Sequence, residues 1–131
     1  MPTMANVTVK KADGVTDIVY TALTSSPGDN SPARWSAVAA NQVAALRPTV
    51  EFFTRFNAKK DARHVSMITK VPEVVTINSV DTINGTVLVT ITAVTPLQVK
   101  DSTIAEAIAQ SANLYKATLI QDSYKAGYAP Q

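Results

Sequence analysis

An α+β fold is predicted for this chain: an N-terminal β-hairpin, an antiparallel β-sheet, then C-terminal helices. Three features predict it. Apolar and polar residues alternate in five or six runs as far as Pro96, the spacing turns helical after it, and the strands precede the helices instead of interleaving with them. A single small sheet has two edges, and more apolar surface than the helices of one chain cover. Dimerisation through an edge and through these C-terminal helices is therefore expected. The 131 residues are read as one domain, with the hairpin over 1–24, the sheet over 33–95 and the helical region over 102–126.

The elements follow in order. Asn6 to Lys10 alternates, Val15 to Leu23 is a second β-rich run, and Ala12, Asp13 and Gly14 between them form a reverse-turn signal. Ser25 to Pro32 (SSPGDNSP) is a loop. The alanine-rich run from Trp35 to Leu46 supports a short helix by composition, with a strand as the alternative. Pro48 biases Arg47 toward extended backbone, and Thr49 to Asn57 follows as a strand. Val50, Phe52, Thr54 and Phe56 occupy one face of it; Glu51, Phe53, Arg55 and Asn57 occupy the other. Residues 57–61 read as a tight turn. The return strand, from about Ala62 to Val71, sets Val65, Met67, Thr69 and Val71 against His64, Ser66, Ile68 and Lys70.

Between Val74 and Ile83 the chain reads as either extended strand or long loop, and Asn84-Gly85 is a strong hairpin-turn pair. Thr86 to Thr95 (TVLVTITAVT) is the cleanest strand, with Val87, Val89, Ile91 and Ala93 opposite Thr86, Leu88, Thr90 and Thr92. After Pro96, Thr103 and Glu106 can form a capping box. Ile104, Ile108, Ala112, Tyr115 and Leu119 then recur at helical spacing and are the predicted dimer-interface residues. Asn113 is a candidate break into two helices, and Gly127 the stop.

Hydrophobic residues make up 46% of the chain and charged residues 17%, which argues against disorder; Thr, Ser, Asn and Gln supply the polar surface. Without cysteine there are no disulfides, thiolate metal sites or cysteine nucleophiles. The single histidine, His64, has Ser66 on its strand face but no carboxylate nearby in sequence to orient the ring, and no glycine-rich phosphate loop occurs. Neither catalysis, a metal nor a cofactor is expected. The first residues lack the apolar run and cleavage signature of a secretory signal, and no stretch reaches transmembrane length. Assembly in the cytoplasm, with no membrane partner, is the expectation.

The functional signal is the charge on the central hairpin. Residues 47–70 hold six of the twelve basic side chains and two acids, Glu51 and Asp61, while the net charge is only +2. The plain reading is that Arg55, Lys59, Lys60, Arg63 and Lys70 keep one sheet face and its turn solvated. The sharper reading is a polyanion surface: these cations meet phosphates, Arg55, His64, Ser66 and Lys70 line an open sheet face that Thr86 and Thr90 extend, and Ser, Thr and Asn side chains contact sugar or base edges. Trp35 is read as a packed core aromatic rather than a stacking platform, and Tyr115, Tyr124 and Tyr128 as anchors for the helices.

The order of segments resembles the coat proteins of the single-stranded RNA bacteriophages, the levivirus type. The parallels are the hairpin across Asp13-Gly14, the Ala33–Trp35 segment, the basic hairpin over 49–71 running into Lys70-Val71-Pro72-Glu73-Val74, the strand at Thr86–Thr95, the terminal helices and the short tail from Gly127 to Pro130. The ordered set, which covers nearly the whole chain, carries the resemblance. It implies interlocked dimers sharing one continuous sheet, assembled into an icosahedral shell around single-stranded genomic RNA. The inner face of that sheet would also bind a genomic hairpin as a translational repressor, and a maturation protein is a further implied partner. It puts Phe53, Arg55 and Asn57 on one RNA-facing strand with Glu51, His64, Ser66 and Lys70 on the next with Ile68, and Asn84 and Thr86 on a third.

Glu51 and Ile68 depart from the family pattern, Phe53 is unusual beside them, and the segment between Pro72 and Thr86 is short. Two other readings compete: a dimeric RNA-binding regulator that builds no shell, marked by discrete RNA-bound dimers, and a ligand-binding or enzyme domain, marked by an apolar cavity with converging polar groups. If Phe53 stacks on a base, Phe53→Ala weakens binding to the cognate hairpin more than to random RNA; equal losses in filter binding would remove that role.

Overall fold

A computed structural model describes residues 2–131. The chain divides into two compact units, one of strands running to Val94 and one of helices from Thr95 onward. The first is a six-stranded antiparallel meander in which each strand pairs with the next: β1 (Val7–Lys10), β2 (Asp17–Thr24), β3 (Ala33–Ser36), β4 (Thr49–Phe56), β5 (Ala62–Ile77) and β6 (Val80–Pro96). β1 and β6 are its edges.

The β1–β2 hairpin is closed by Asp13. Its Oδ1 accepts the amides of Val15 and Thr16, both at 2.9 Å, and its Oδ2 accepts the Thr16 hydroxyl at 2.5 Å. Gly14 sits at φ +73°, a backbone region that side-chain-bearing residues avoid. Beyond the turn, Val7 to Lys10 pair in register with Tyr20 to Asp17. Just ahead of β1, the Ala5 carbonyl accepts the Trp35 indole N–H at 2.9 Å and the Asn6 side chain accepts the Ala22 amide. Trp35 is half-buried with its polar atom satisfied, as a packing aromatic requires.

After β3 the chain becomes neither the helix its alanines suggest nor further strand. Two short 3-10 turns, Val38–Ala40 and Ala44–Leu46, fill the segment. Arg47 reaches back to hold them, donating from Nε to the Asn41 carbonyl at 2.7 Å and from Nη2 to the Gln42 carbonyl at 2.9 Å. Leu46 is buried there. These side-chain bonds, reaching five and six positions back, fasten a conformation other than the helix that alanine propensity favours.

The expected turn at Asn84-Gly85 is corrected. The chain reverses at Asn78 and Ser79, whose φ values of +51° and +64° are those a two-residue hairpin loop demands. Asn84 and Gly85 lie inside β6, and the return strand continues through Ile77. Side chains bridge the two strands: Thr76 donates to Asp81 at 2.7 Å and Asn84 donates to Glu73 at 3.3 Å. A reversal at 84–85 would leave the backbone groups of about a dozen extended residues unpaired, so the earlier turn wins.

The second unit holds α1 (Asp101–Lys116) and α2 (Thr118–Ala126). The expected capping box is absent. Lys100 is the N-cap, Thr103 lies within the first turn, and Glu106 accepts from Gln110 at 2.7 Å instead of reaching back. Asp101 sits in the first turn, where a carboxylate complements the positive end of the helix dipole. The break falls at Ala117 rather than Asn113: Ala117 is extended (φ −65°, ψ 134°) and both ends α1 and begins α2. Gly127 is the stop, in left-handed conformation at φ +77°, its amide bonded to the Ser123 carbonyl at 2.9 Å.

The apolar residues that become buried are few and mostly small: Ala33, Ala37, Leu46 and Ala62. Neither helix contains a buried residue. Exposed apolar side chains run along β5 and β6, including Val74, Ile77, Val80, Ile83, Val87 and Leu88, and continue on the helices.

Hydrogen bonds from the Thr16 hydroxyl and from the Val15 and Thr16 amides hold the Asp13 carboxyl down at about 2. The folded value lies below the unfolded one, so this contribution to the hairpin is complete above the ordinary carboxylate range and fades as pH falls through about 2. Carbon-detected NMR should give an Asp13 midpoint near pH 2 that the Val15 and Thr16 amide shifts follow; a midpoint near 4 would contradict the turn geometry.

Candidate nucleic-acid interface

Directly opposed residues of antiparallel strands share a sheet face, so the register fixes which side chains meet. Thr49, Glu51, Phe53 and Arg55 of β4 lie opposite Lys70, Ile68, Ser66 and His64 of β5. On the other side of β4, Arg34 and Ser36 of β3 lie opposite Glu51 and Thr49. These residues form one polar face, with Arg55 and Lys70 exposed and Phe53, His64 and Ile68 half-buried. Ser66 is buried, and its hydroxyl meets that of Thr92 on β6 at 3.0 Å, bringing a threonine of β6 to this face.

The reverse face carries Trp35, Val50, Phe52, Thr54, Val65, Met67 and Thr69. Arg63 stands at its rim. Arg63 pairs in register with Phe56, placing it across the sheet from Arg55 and His64. Its guanidinium lies 4.3 Å from the Phe56 ring centroid and binds Asp29 in bidentate fashion, Nη2 to Oδ1 at 2.6 Å and Nη1 to Oδ2 at 3.0 Å. The Asp29 carboxyl is held below the usual carboxylate range, first by Arg63 and then by the Thr54 hydroxyl. Since the Asn30 amide also bonds to the Thr54 carbonyl at 2.9 Å, Arg63 fastens the 25–32 loop to the hairpin. The structure thus sets Arg63 apart from the cations it was grouped with.

Asn57 is committed as well. Its Oδ1 accepts the Asp61 and Ala62 amides at 3.0 and 3.3 Å, and its Nδ2 donates to Asp61 at 2.5 Å, locking the β4–β5 turn. That turn displays Lys59 and Lys60 to solvent, Lys60 at φ +57°. Asn84 is tied to Glu73, while Thr86 is exposed on β6.

Arg34 is the basic residue of this face that sequence reasoning missed. Its Nε lies 3.3 Å from Glu51 Oε1. Only the β3–β4 register brings the two together across seventeen positions, so no local signal marks the pair. Among the described residues, no group of three or more His, Cys, Asp or Glu side chains is placed to hold a metal ion. No helix is long and apolar enough to cross a membrane.

No protein-family model matches the sequence, and no curated protein does either. Solved structures do. The virus-like particle protein of bacteriophage NT-214 superposes with a TM-score of 0.81 over 99% of this chain and 100% of its own, at 12% identity. The fold is that of a bacteriophage coat protein. The virus-like particle of Beihai levi-like virus 21 gives a TM-score of 0.82 at 13% identity, covering 99% of each chain. The bacteriophage GA capsid protein gives 0.74 at 15% identity, covering 95% of each. The hairpin, six-stranded meander and two terminal helices of this coat-protein fold are therefore kept with little sequence in common.

The two hairpin arginines are expected to separate experimentally. Arg55→Ala should lower RNA affinity and flatten its dependence on salt, by a log–log slope of about 0.7 for one phosphate contact on a single strand. Arg63→Ala should leave that slope unchanged and instead speed hydrogen exchange at the Asn30 amide. The opposite pattern would return Arg63 to the candidate interface.

Proposed function

We propose that this protein is a coat protein of the single-stranded RNA phage type, working as a homodimer that assembles into a closed icosahedral shell around RNA. The observation that carries this reading is the whole-length correspondence with chains that form virus-like particles. The distribution of apolar surface supports it independently. The edge strand β6 is seventeen residues long, and Ile108 and Leu119 are 52% and 63% exposed in a single chain. Pairing β6 edge to edge would join two sheets into one, and Ile104, Ile108, Ala112, Tyr115 and Leu119 would be covered by the partner.

The work is assembly rather than turnover. Attraction between genomic phosphates and the polar sheet face concentrates dimers on the RNA, and contacts between dimers then close the shell. Arg55, Lys59, Lys60 and Lys70 are the phosphate contacts in this reading, with Phe53 and His64 at base level and the Ser66–Thr92 hydroxyl pair beside them. Recognition of a genomic hairpin, and through it repression of translation, belongs to the same face. Assembly takes place in the bacterial cytoplasm, and a maturation protein is a further partner.

The test is negative-stain electron microscopy of the recombinant protein, with absorbance at 260 and 280 nm. Uniform particles rich in nucleic acid are expected. A clean dimer that builds no particles even with RNA added would turn the reading into that of a non-assembling RNA-binding regulator. Leu119→Asp places a charge in the proposed interface and should abolish particles and dimers together; particles that persist would remove the helices from that interface.

A further inference from the structure

An acid stands in the middle of the face proposed to bind RNA. Glu51 lies between Arg34 on β3 and Ile68 on β5, with Arg55 further along its own strand. We propose that Arg34 is a further RNA-phosphate contact and that Glu51 is the residue that positions it. The inference rests on the RNA-binding reading of this face.

The geometry favours this arrangement over an acid that merely cancels charge. The carboxylate is the more enclosed partner: the Glu51 side chain is 28% exposed and the Arg34 side chain 56%. Polyanion approaching the face therefore meets the guanidinium before the acid. The closest approach to Glu51 is through Nε. A guanidinium has five N–H donors in a planar fork, so one engaged along its Nε side keeps donors for a second anion. An ion pair this exposed adds little to folding stability, so its main effect is to choose one orientation for a long side chain that otherwise samples many. An arginine so oriented loses less freedom on binding phosphate than a free one.

The two roles for Glu51 predict opposite couplings. If it positions Arg34, the effect of Arg34→Ala shrinks once Glu51 is removed. If it only neutralises Arg34, that effect grows, because the arginine is then released to the RNA. The experiment titrates a fluorescently labelled single-stranded RNA oligonucleotide against the full-length protein and its variants at several salt concentrations, with circular dichroism as a check on folding.

Arg34→Ala is expected to weaken binding severalfold at low salt and to lower the log–log salt slope by about 0.7. In a Glu51→Ala background the same change should have a smaller effect, and Glu51→Gln, which keeps an acceptor oxygen, should restore it. Arg34→Lys keeps the charge without the fork and should retain the slope while losing affinity, so it also serves if Arg34→Ala does not fold. A salt-dependent wild type with an unchanged slope in Arg34→Ala, or a larger effect in the Glu51→Ala background, overturns the inference and leaves the RNA reading standing. A wild type without salt-dependent binding overturns both.

Discussion

A chain of this composition has more apolar surface than its own fold covers, and the rest of the structure depends on that imbalance. Nearly half its residues are hydrophobic, yet among the described residues those that become buried are three alanines and one leucine. Removing apolar surface from water contributes about 25 cal/mol per Å², so the valines, leucines and isoleucines exposed on β5, β6 and the helices are a large unrealised stabilisation. In the proposed dimer a second copy would recover part of it, since β6 is an open sheet edge and neither helix has a buried residue.

Within the sheet, the two-residue period of a strand lets one segment serve two environments. β4 and β5 turn Phe52, Val65 and Met67 to the side of Trp35, and Phe53, Arg55, Ser66 and Lys70 to the other. Electrostatics follows that division. Arg63, on the apolar side, is neutralised by Asp29 and spent on holding a loop, while Arg55 and Lys70 on the polar side stay exposed. The buried Ser66 hydroxyl satisfies its polar atom against Thr92, so β5 and β6 meet there without leaving it unpaired.

Identities of 12–15% with proteins of the same fold show how little of this depends on particular side chains. What has to be preserved is the alternation of each strand, a reversal between each pair and helical periodicity at the end. Many residue combinations satisfy those demands, so the fold outlasts recognisable sequence similarity.

Local chemistry is what the sequence by itself determined. The Asp13-Gly14 and Asn57–Asp61 turns, the faces of β4 and β5, the helical character after Pro96 and the stop at Gly127 all lie where residue pattern puts them, because each is decided by neighbours a few positions apart. Arg63 could also have been assigned to its face from alternation with Val65 and Met67, since strand parity outweighs a simple grouping of cations. Tertiary structure decided the rest. Asn78-Ser79 displaced the better turn pair Asn84-Gly85 because two long strands had to pair along their length. Arg34 met Glu51, and Arg63 met Asp29, only once strands and loops far apart in the chain were brought side by side. Contacts of that kind depend on register and loop closure, which no local window of residues contains.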